Sequence, residues 1–526
     1  MILAAVEPWV STWLTPITLL GVGAIGALGL LVILWGLLCV VHWPSGKQVP
    51  AIVREGPLFP IFIVTCALAV FGLVGMFFIV RHPDELMSSL WRLPQTGEFV
   101  YTFNIEPVTA DASQDLSEIE PQKIDLEINT QELVELRFLS DLNVDTISPY
   151  PRVLTKSDQA STMSLSGGDV LVWRSDVESD VRFPREGIDA LYVWNTDTYP
   201  TTLEVTAVTA PVHAEVMTIP ITALVITVVF LAYFLQRATL PRVLMAKLPH
   251  RVQSAIQPKI SAIALATAKS EMAQPLFIIC MALGFFFLTL FVVLPYNTFG
   301  EDIKMMKDSG LTLIMILSIV VCLWAASNSI SEEIEGRTAM TVLSKPVSRW
   351  QFILGKFFGI TWVAAVMFLL LGLWFLIAIC YKPIYDARET ANTDPAWQEC
   401  HLEMIKTAPG LVLGFFETVV IASISVAIST RLPMLANFII CISIYALGHL
   451  TPMIVKSSAG LNELVVFVAR LFAAAFPVLE HFDIKPAIAG GVDVPLDYLG
   501  WSLVYCILYS AVAMLLALTM FEDRDL

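Results

Sequence analysis

The sequence is poor in charged residues. Only 15% of its 526 residues are Asp, Glu, Lys or Arg, whereas 56% are hydrophobic, and the mean hydropathy is +0.73. A soluble globular chain carries about 25% charged and about 45–50% apolar residues. This deficit excludes a soluble enzyme, a disordered chain and a fibrous chain, and it predicts an integral membrane protein with several spans.

Several signatures of catalytic and ligand-binding centres are also missing. The chain has no GxxxxGK[ST] phosphate loop, no HExxH pair, no CxxC pair and no basic stripe for nucleic acid. Seven of its eight cysteines lie in apolar runs, and only Cys400 lies in what we interpret as a polar loop. We therefore expect a chain without catalytic residues, cofactor, metal or nucleic-acid partner.

Long apolar runs are what the sequence does contain. A helix needs about 20 apolar residues to cross about 30 Å of hydrocarbon. Nine runs of this kind cover roughly 17–41, 58–80, 216–235, 276–294, 311–326, 357–380, 410–430, 434–454 and 500–520. A tenth run, 464–476, is shorter and contains Arg470, so we interpret it as re-entrant or interfacial.

The acidic residues concentrate between the second and third apolar runs. Residues 82–215 contain 24 acidic and eight basic residues, while the rest of the chain has 23 of each. Short runs within 97–209 alternate apolar and polar residues, which predicts six or seven antiparallel strands. We expect a solvated acidic exterior, or else a docking surface for a basic partner or cation.

The predicted fold class is a multi-span α-helical membrane protein. It has about nine transmembrane helices plus a re-entrant segment, and an inserted extracytoplasmic all-β, sandwich-like domain. The predicted parts are two helices in 1–80, the acidic β domain in 81–215, a third helix in 216–235, a basic linker in 236–275 and a six-span core in 276–526.

Charge in the short loops predicts the orientation. The linker 236–275 carries six basic residues against one acid, so it should face the cytoplasm. Counting spans from this linker places the N-terminus and 81–215 outside, and 327–356 and the C-terminus in the cytoplasm.

Two short motifs mimic known sites. Leu165-Ser166-Gly167-Gly168-Asp169 mimics the signature of ABC ATPases, but a glycine pair before a β run is better explained by a hairpin turn. Glu332-Glu333-x-x-x-Arg337 matches the first motif of intramembrane metalloproteases. Because suitably spaced histidines are missing, a protease is the least favoured of three functions.

Polar residues in or near the seventh span are further candidates. A carboxylate at Glu417 costs about 2.5 kcal/mol or more inside a bilayer, so it should line a translocation path or pair with Arg470 or a backbone donor. A second group could gather as metal ligands, although a simple polar loop is the favoured interpretation. Its members are Cys400, His401 and Glu403, with His481 and Asp483.

The most informative segment is 329–356. Ser329-x-x-Glu332 has capping-box spacing, although the preceding helix could run on through it, and Pro346 should stop the helix. Ser348-x-x-Gln351 offers a capping box for the helix of the sixth span. A charged helix tied to spans at both ends suits force transfer from a cytoplasmic partner; the alternative is a juxtamembrane loop whose basic residues contact lipid head groups.

This segment resembles the loop of type-2 ABC exporter permeases. The likeness lies in Glu332, Gly336-Arg337-Thr338, Leu343 through Arg349, and Leu354-Gly355-Lys356. In that family the loop is the coupling helix, which contacts the ATPase subunit. Residues 253–275 resemble the family's amphipathic elbow helix, and Tyr509 through Leu526 resemble its closing span. The resemblance covers about 255–526.

The resemblance implies a non-catalytic permease subunit of an ABC exporter-type complex in a prokaryotic-type cytoplasmic membrane. A separate ABC ATPase subunit would hydrolyse ATP, and a second permease subunit, identical or different, would complete the path. The implied coupling residues are Glu332, Glu333, Glu335, Gly336, Arg337, Thr338, Lys345, Pro346, Ser348 and Arg349. The alternative is an ABC complex that passes mechanical or signalling work to the β domain, and hence to an extracytoplasmic protein, without moving a substrate.

Overall fold

The computed structural model describes most of the apolar helices and the strands of the acidic domain. The described residues are 8–40, 54, 56, 58–80, 98–107, 122–128, 133–148, 163–174, 188–195, 199–209, 214–237, 258–294, 296, 301–332, 347–391, 395–458, 464, 466–468, 470–471, 476–491 and 494–522. By chain contacts, the protein divides into a helical unit, Met1–Arg81 with Thr218–Leu526, and a second unit, His82–Met217.

The helical unit confirms the prediction of a multi-span helical membrane protein. Nine of the described helices are long and apolar enough to cross a membrane. The α-helices are α1 Pro8–Val40, α2 Phe59–Phe78, α3 Thr218–Arg237, α4 Pro258–Met272, α5 Pro275–Val293, α6 Asp302–Ala326, α7 Arg349–Glu389, α8 Trp397–Ser429, α9 Met434–Ser458, α10 Lys485–Ala489 and α11 Leu496–Glu522.

Two helices extend further than the apolar runs predicted. α7 continues to Glu389 and α8 begins at Trp397, so the expected polar loop around Cys400 is wrong: Cys400 lies within α8 and is buried. The hydropathy pattern stops where lysine and acidic residues begin, but these residues find partners in neighbouring helices and the helices continue. α6 likewise runs on through a π-helix, Ser327–Glu332, which answers the open choice at Ser329 in favour of helix continuation.

The first three apolar helices, α1 to α3, pack closely because glycines at their crossings leave no side chain between the backbones. Gly21 of α1 and Gly72 of α2 contact each other backbone to backbone. A Cβ on Gly23 would lie 2.7 Å from the Thr222 side chain of α3. Close backbone approach through glycine is a frequent way for membrane helices to associate.

The acidic unit contains eight described strands rather than six or seven. They are β1 Glu98–Ile105, β2 Gln122–Ile128, β3 Leu133–Ser140, β4 Val144–Ser148, β5 Met163–Leu165, β6 Val170–Arg174, β7 Ile188–Trp194 and β8 Thr201–Thr209. The expected alternation is clear in β8, where Leu203, Val205 and Ala207 are buried and the residues between them are not.

The strand order is that of a jelly roll. β1 pairs with β8, β2 with β7, β3 with β6 and β4 with β5, all antiparallel. Two four-stranded sheets result, with the orders β1-β8-β3-β6 and β2-β7-β4-β5. One cluster of buried side chains draws on all eight strands, so the two sheets share a core.

The Gly167-Gly168 turn was predicted as a hairpin, and that prediction is wrong in one respect. A turn is present: the Asp169 amide donates to the Ser166 carbonyl at 3.1 Å, and Gly168 has a φ of +82°, which favours glycine. However, the strand before it, β5, pairs with β4, whereas the strand after it, β6, pairs with β3. The turn therefore carries the chain from one sheet to the other.

Candidate functional site in the helical body

The buried carboxylate of Glu417 lies against His449. Glu417 is 0% exposed, and its Oε1 atom is 2.8 Å from Nε2 of His449. The short 430–433 connection makes α8 and α9 antiparallel neighbours, and both residues lie well inside their helices: Glu417 is about 18 Å from the end of α8 by the helical rise. The expected partner Arg470 is exposed instead.

Asp483 and Lys485 extend this pair towards the surface. The other ring nitrogen of His449, Nδ1, lies 3.9 Å from Asp483 Oδ2, and Lys485 Nζ lies 3.5 Å from Asp483 Oδ1. Side-chain exposure rises along the series, from 0% at Glu417 to 22% at His449 and 32% at Asp483. We call Glu417, His449 and Asp483 the carboxylate–histidine chain.

Asp483 reaches this site because the segment 476–491 folds back into the helical unit. Leu479, Phe482 and Ile488 are buried in the core of that unit. Two tyrosines of α11 hold the segment: Tyr505 accepts a hydrogen bond from the Val478 amide at 2.9 Å, and Tyr498 donates to the His481 carbonyl at 2.7 Å. Of the predicted re-entrant run 464–476, the structure describes 464, 466–468, 470–471 and 476, and the described residues up to 471 are helical.

A second polar cluster lies further along the same two helices. Asn437 of α9 donates to Ser425 of α8 and to Ser327 of the π-helix, each at 2.8 Å, and Cys441 contacts its side-chain oxygen at 3.2 Å. All four residues are buried. This cluster fixes the end of α6 immediately before the charged segment that follows it.

Two buried lysines form ion pairs, Lys307 near the start of α6 and Lys382 near the end of α7. Lys382, which is 0% exposed, lies 2.8 Å from Asp386 and 3.8 Å from Asp302. Lys307 pairs with Glu403. Asp302, Asp386 and Glu389 are close enough to share a metal ion, but the ammonium of Lys382 already supplies a positive charge there.

The predicted metal ligands do not gather. Cys400 packs with Cys380 and Met404, His401 contacts the Trp397 ring at 6.3 Å between centroids, and Glu403 pairs with Lys307. Of the second part of that group, His481 packs on Tyr505 and Asp483 belongs to the carboxylate–histidine chain.

The predicted coupling residues are described only at the edges of their segment. Ser348 and Arg349 begin α7, where Ser348 and Gln351 form the predicted capping box. Glu332 ends the π-helix. Glu333, Glu335, Gly336, Arg337, Thr338, Lys345 and Pro346 lie outside the described residues.

Sequence reasoning missed His449, Lys382 and Lys307. A signal for His449 did exist: in a helical hairpin, residues equally distant from the turn face each other, and Glu417 and His449 lie at comparable distances from it. The two lysines had no such signal, because their partners come from helices whose packing the sequence does not specify.

Comparison with known proteins leaves the family open. No protein-family model matches the chain, and a search of curated proteins finds no significant match.

Proposed function

We propose that this chain is the membrane permease subunit of an ABC exporter-type complex, which moves a substrate by ATP hydrolysis on a separate ATPase subunit. The observation that carries the proposal is the charged segment 333–346 and the way its two ends are held. Its sequence resembles the coupling segment of type-2 exporters, and it joins two long apolar helices, α6 and α7. A segment held at both ends can transmit a push from a bound partner.

The start of α7, which directly follows the charged segment, is held by close packing against α4. The amphipathic helix α4 buries Ala264, Thr267 and Ala268, and it lies against the start of α7. A Cβ on Gly355 would lie 2.7 Å from Cβ of Ile263, and one on Gly359 would lie 2.7 Å from the Ala264 carbonyl oxygen. Because these backbones nearly touch, α4 and α7 would move together.

The last helix contacts the same place. The rings of Phe352 in α7 and Phe521 in α11 stack with centroids 6.0 Å apart, and the Arg349 guanidinium lies over Phe521 at 5.9 Å. The start of α7 is thus connected to two other helices. Displacement of the charged segment would be passed to all three, which suits a change of access in a transport path.

The path itself would include Glu417. An ionisable residue inside a span faces protein or a water-filled cavity, and such residues frequently mark substrate or ion pathways. A second permease subunit, of the same or a different chain, would complete the path, and the substrate would pass between the two membrane faces.

The proposal includes an orientation. The N-terminus and the β domain would lie outside a prokaryotic-type cytoplasmic membrane, and 236–275, 327–356 and the C-terminus would lie inside. Single cysteines at Ser161 and Ser344, placed in a cysteine-free background, test this with an impermeant thiol reagent on intact cells. Labelling at position 161 alone is expected. Labelling at position 344 alone would mean that the charged segment lies outside the membrane, where it cannot contact a cytoplasmic ATPase.

The experiment that tests the proposal is reversal of charge in the coupling segment. Exposed ion pairs are worth about 0–1 kcal/mol each, so one substitution should do little, whereas several like-charge contacts cost several kcal/mol. Glu332→Lys, Glu333→Lys and Glu335→Lys together should release the ATPase subunit on co-purification from detergent while the chain still folds.

A matched control uses the other end of α6. Glu301 pairs with Lys304 at the exposed start of that helix, so Glu301→Lys reverses a charge without touching the segment. This variant should retain the ATPase. Full retention of the ATPase by the triple variant would overturn the coupling assignment and favour a juxtamembrane loop that contacts lipid.

The non-transport alternative is favoured by the β domain, whose eight described strands enclose a core of their own. Vectorial, ATP-dependent movement of a substrate in reconstituted vesicles would separate the two functions, since only the permease produces it.

A further inference from the structure

We propose that Glu417 is a proton-binding site, loaded from one side of the helical body through His449 and Asp483. The proposal rests on the proposed function for its biological role, since a protonated group in a transport path would let proton binding accompany or regulate transport. The protonation itself is a property of this chain and is testable without an ATPase.

The carboxylate–histidine chain has the order of groups that a relay needs, with its inner step at hydrogen-bond distance and its outer step long enough to require one bridging water. His449 presents one ring nitrogen to each carboxylate, with 2.8 Å between Nε2 and Glu417 and 3.9 Å between Nδ1 and Asp483. An imidazole can accept a proton on one nitrogen while it donates from the other. The rising exposure from Glu417 to Asp483 gives the chain a direction, from the interior to an accessible mouth.

The inner end has an oxygen to spare. Glu417 Oε2 is buried and has no hydrogen-bond partner among the described residues, while Oε1 contacts His449. A carboxylate buried in this way leaves one acceptor unsatisfied, whereas a protonated carboxyl group carries no net charge. Protonation would therefore remove the net charge from a buried group whose second oxygen has no partner among the described residues.

The surroundings supply few competing charges. From α9, His449 and Tyr445 face the site, with 4.8 Å between their ring centroids. From the 476–491 segment, Asp483 and Lys485 approach it.

The other helices around Glu417 bring uncharged groups. In α11, the Cys506 sulfur lies 3.5 Å from the Phe416 carbonyl oxygen, and Tyr505 and Tyr509 lie on the same helix. One turn away at Gly414, α6 and α7 present the apolar side chains of Met315 and Phe368.

The proton balance is simple. A proton from water binds Asp483 at the mouth, where Lys485 lies close enough to hold the carboxylate in place. Asp483 passes it through one bridging water to Nδ1 of His449, and the resulting imidazolium releases its Nε2 proton to Glu417. His449 is then neutral with the proton on Nδ1, and a flip of the ring, which turns the protonated nitrogen towards Glu417, resets it. No bond other than those to hydrogen changes.

Infrared difference spectroscopy on the full chain in phospholipid vesicles tests the proposal. On acidification, a carbonyl band of a protonated carboxylic acid should appear that is missing in Glu417→Gln and shifted in Glu417→Asp. Glu403→Gln is the matched control, because Glu403 lies on the same helix but pairs with Lys307, which is not part of the carboxylate–histidine chain. The control should keep the band.

Hydrogen–deuterium exchange of that band tests the route. His449→Ala and Asp483→Asn should slow exchange by about a hundredfold, the usual size of a lost proton-transfer group. Added imidazole should restore the rate in His449→Ala but not in Asp483→Asn, and a structural role would show no such rescue. A thermal melt of each variant establishes that it is folded.

Two outcomes would overturn the proposal. If no band of the wild-type chain is lost in Glu417→Gln and shifted in Glu417→Asp, Glu417 does not bind a proton. If the band exists but exchanges at the wild-type rate in both His449→Ala and Asp483→Asn, the route is wrong. The proposed permease function fails separately, through retention of the ATPase by the triple charge reversal.

Discussion

Gly72 of α2 packs directly against the backbone of Gly21 in α1, with no room for a side chain between them. Gly72→Val should force the two helices apart and lower the stability of the detergent-solubilised chain by about 1–3 kcal/mol, the usual cost of overpacking. A thermal melt measures the effect. Gly29→Val is the control, because no heavy atom lies within 4 Å of its added Cβ. Equal melting of both variants would contradict this close contact.

Gly355 offers a test of the contact between α4 and α7. A valine there would collide with Ile263 and move α4 away from the start of α7. If the two helices transmit motion together, Gly355→Val should leave the ATPase subunit bound but uncouple its ATP hydrolysis from transport. ATPase and transport assays on the reconstituted complex report both quantities. Gly500→Val, at an open position on α11, should leave them coupled.

The β domain should fold without the helices. Its core draws on all eight of the strands that the structure describes, and Leu136, Phe138, Leu191 and Leu203 are 0% exposed. We expect residues 90–210, expressed alone, to be soluble, with a strand-rich circular dichroism spectrum and a cooperative melt. Phe138→Ala should cost about 3–5 kcal/mol, since it removes a buried ring. A helical or unfolded spectrum of the unmodified segment would contradict the prediction.

Glu135 should make that domain sensitive to acid. The hydrogen bond from Arg137, at 2.6 Å, and a second from Arg174 lower the pKa of Glu135 below its ordinary value. A carboxyl whose pKa is lowered by folding stabilises the fold above its unfolded pKa, and this contribution is lost as the pH falls through the folded pKa. Glu135→Gln should therefore lower the melting temperature at neutral pH, with a difference that shrinks in acid.

Melts of the 90–210 segment across the acid range measure that dependence. Glu204→Gln is a suitable control, because Glu204 lies on the adjacent strand β8 and has no ion pair in the described part of the chain. A difference between wild type and Glu135→Gln that stays constant with pH would exclude a role for the carboxylate charge.

The parts that sequence predicted well are those that depend on local pattern. Hydropathy located the candidate spans, and alternation located six of the eight described strands but missed β4 and β5, because each pattern reports how a segment meets its surroundings. The capping box at Ser348 depends on two residues one turn apart, so it too was readable. Strand order was not, because alternation assigns faces but not neighbours: nothing local in β1 says that it pairs with β8.

The carboxylate–histidine chain was half predictable for the same reason. Glu417 was conspicuous because a carboxylate in an apolar run is costly. Its partner came from another helix, and Asp483 came from a segment whose return into the helical body depends on buried residues such as Phe482 and on hydrogen bonds to α11. Partners brought together only by tertiary packing leave little trace in a single sequence.

The first helix is joined to the rest of the helical unit by aromatic contacts. Trp13 donates from its indole nitrogen to the Ile377 carbonyl at 3.3 Å and packs on Tyr381 with centroids 5.0 Å apart, while Arg388 lies over the Trp9 ring at 4.6 Å. A chain truncated to begin at α4 would keep six of the nine described helices that are long and apolar enough to cross a membrane, yet it would expose the Cys380 and Cys400 surface that these tryptophans cover. α1 therefore shields an apolar surface at the far end of α7, and a shortened version should need another cover for that surface to remain monodisperse in detergent.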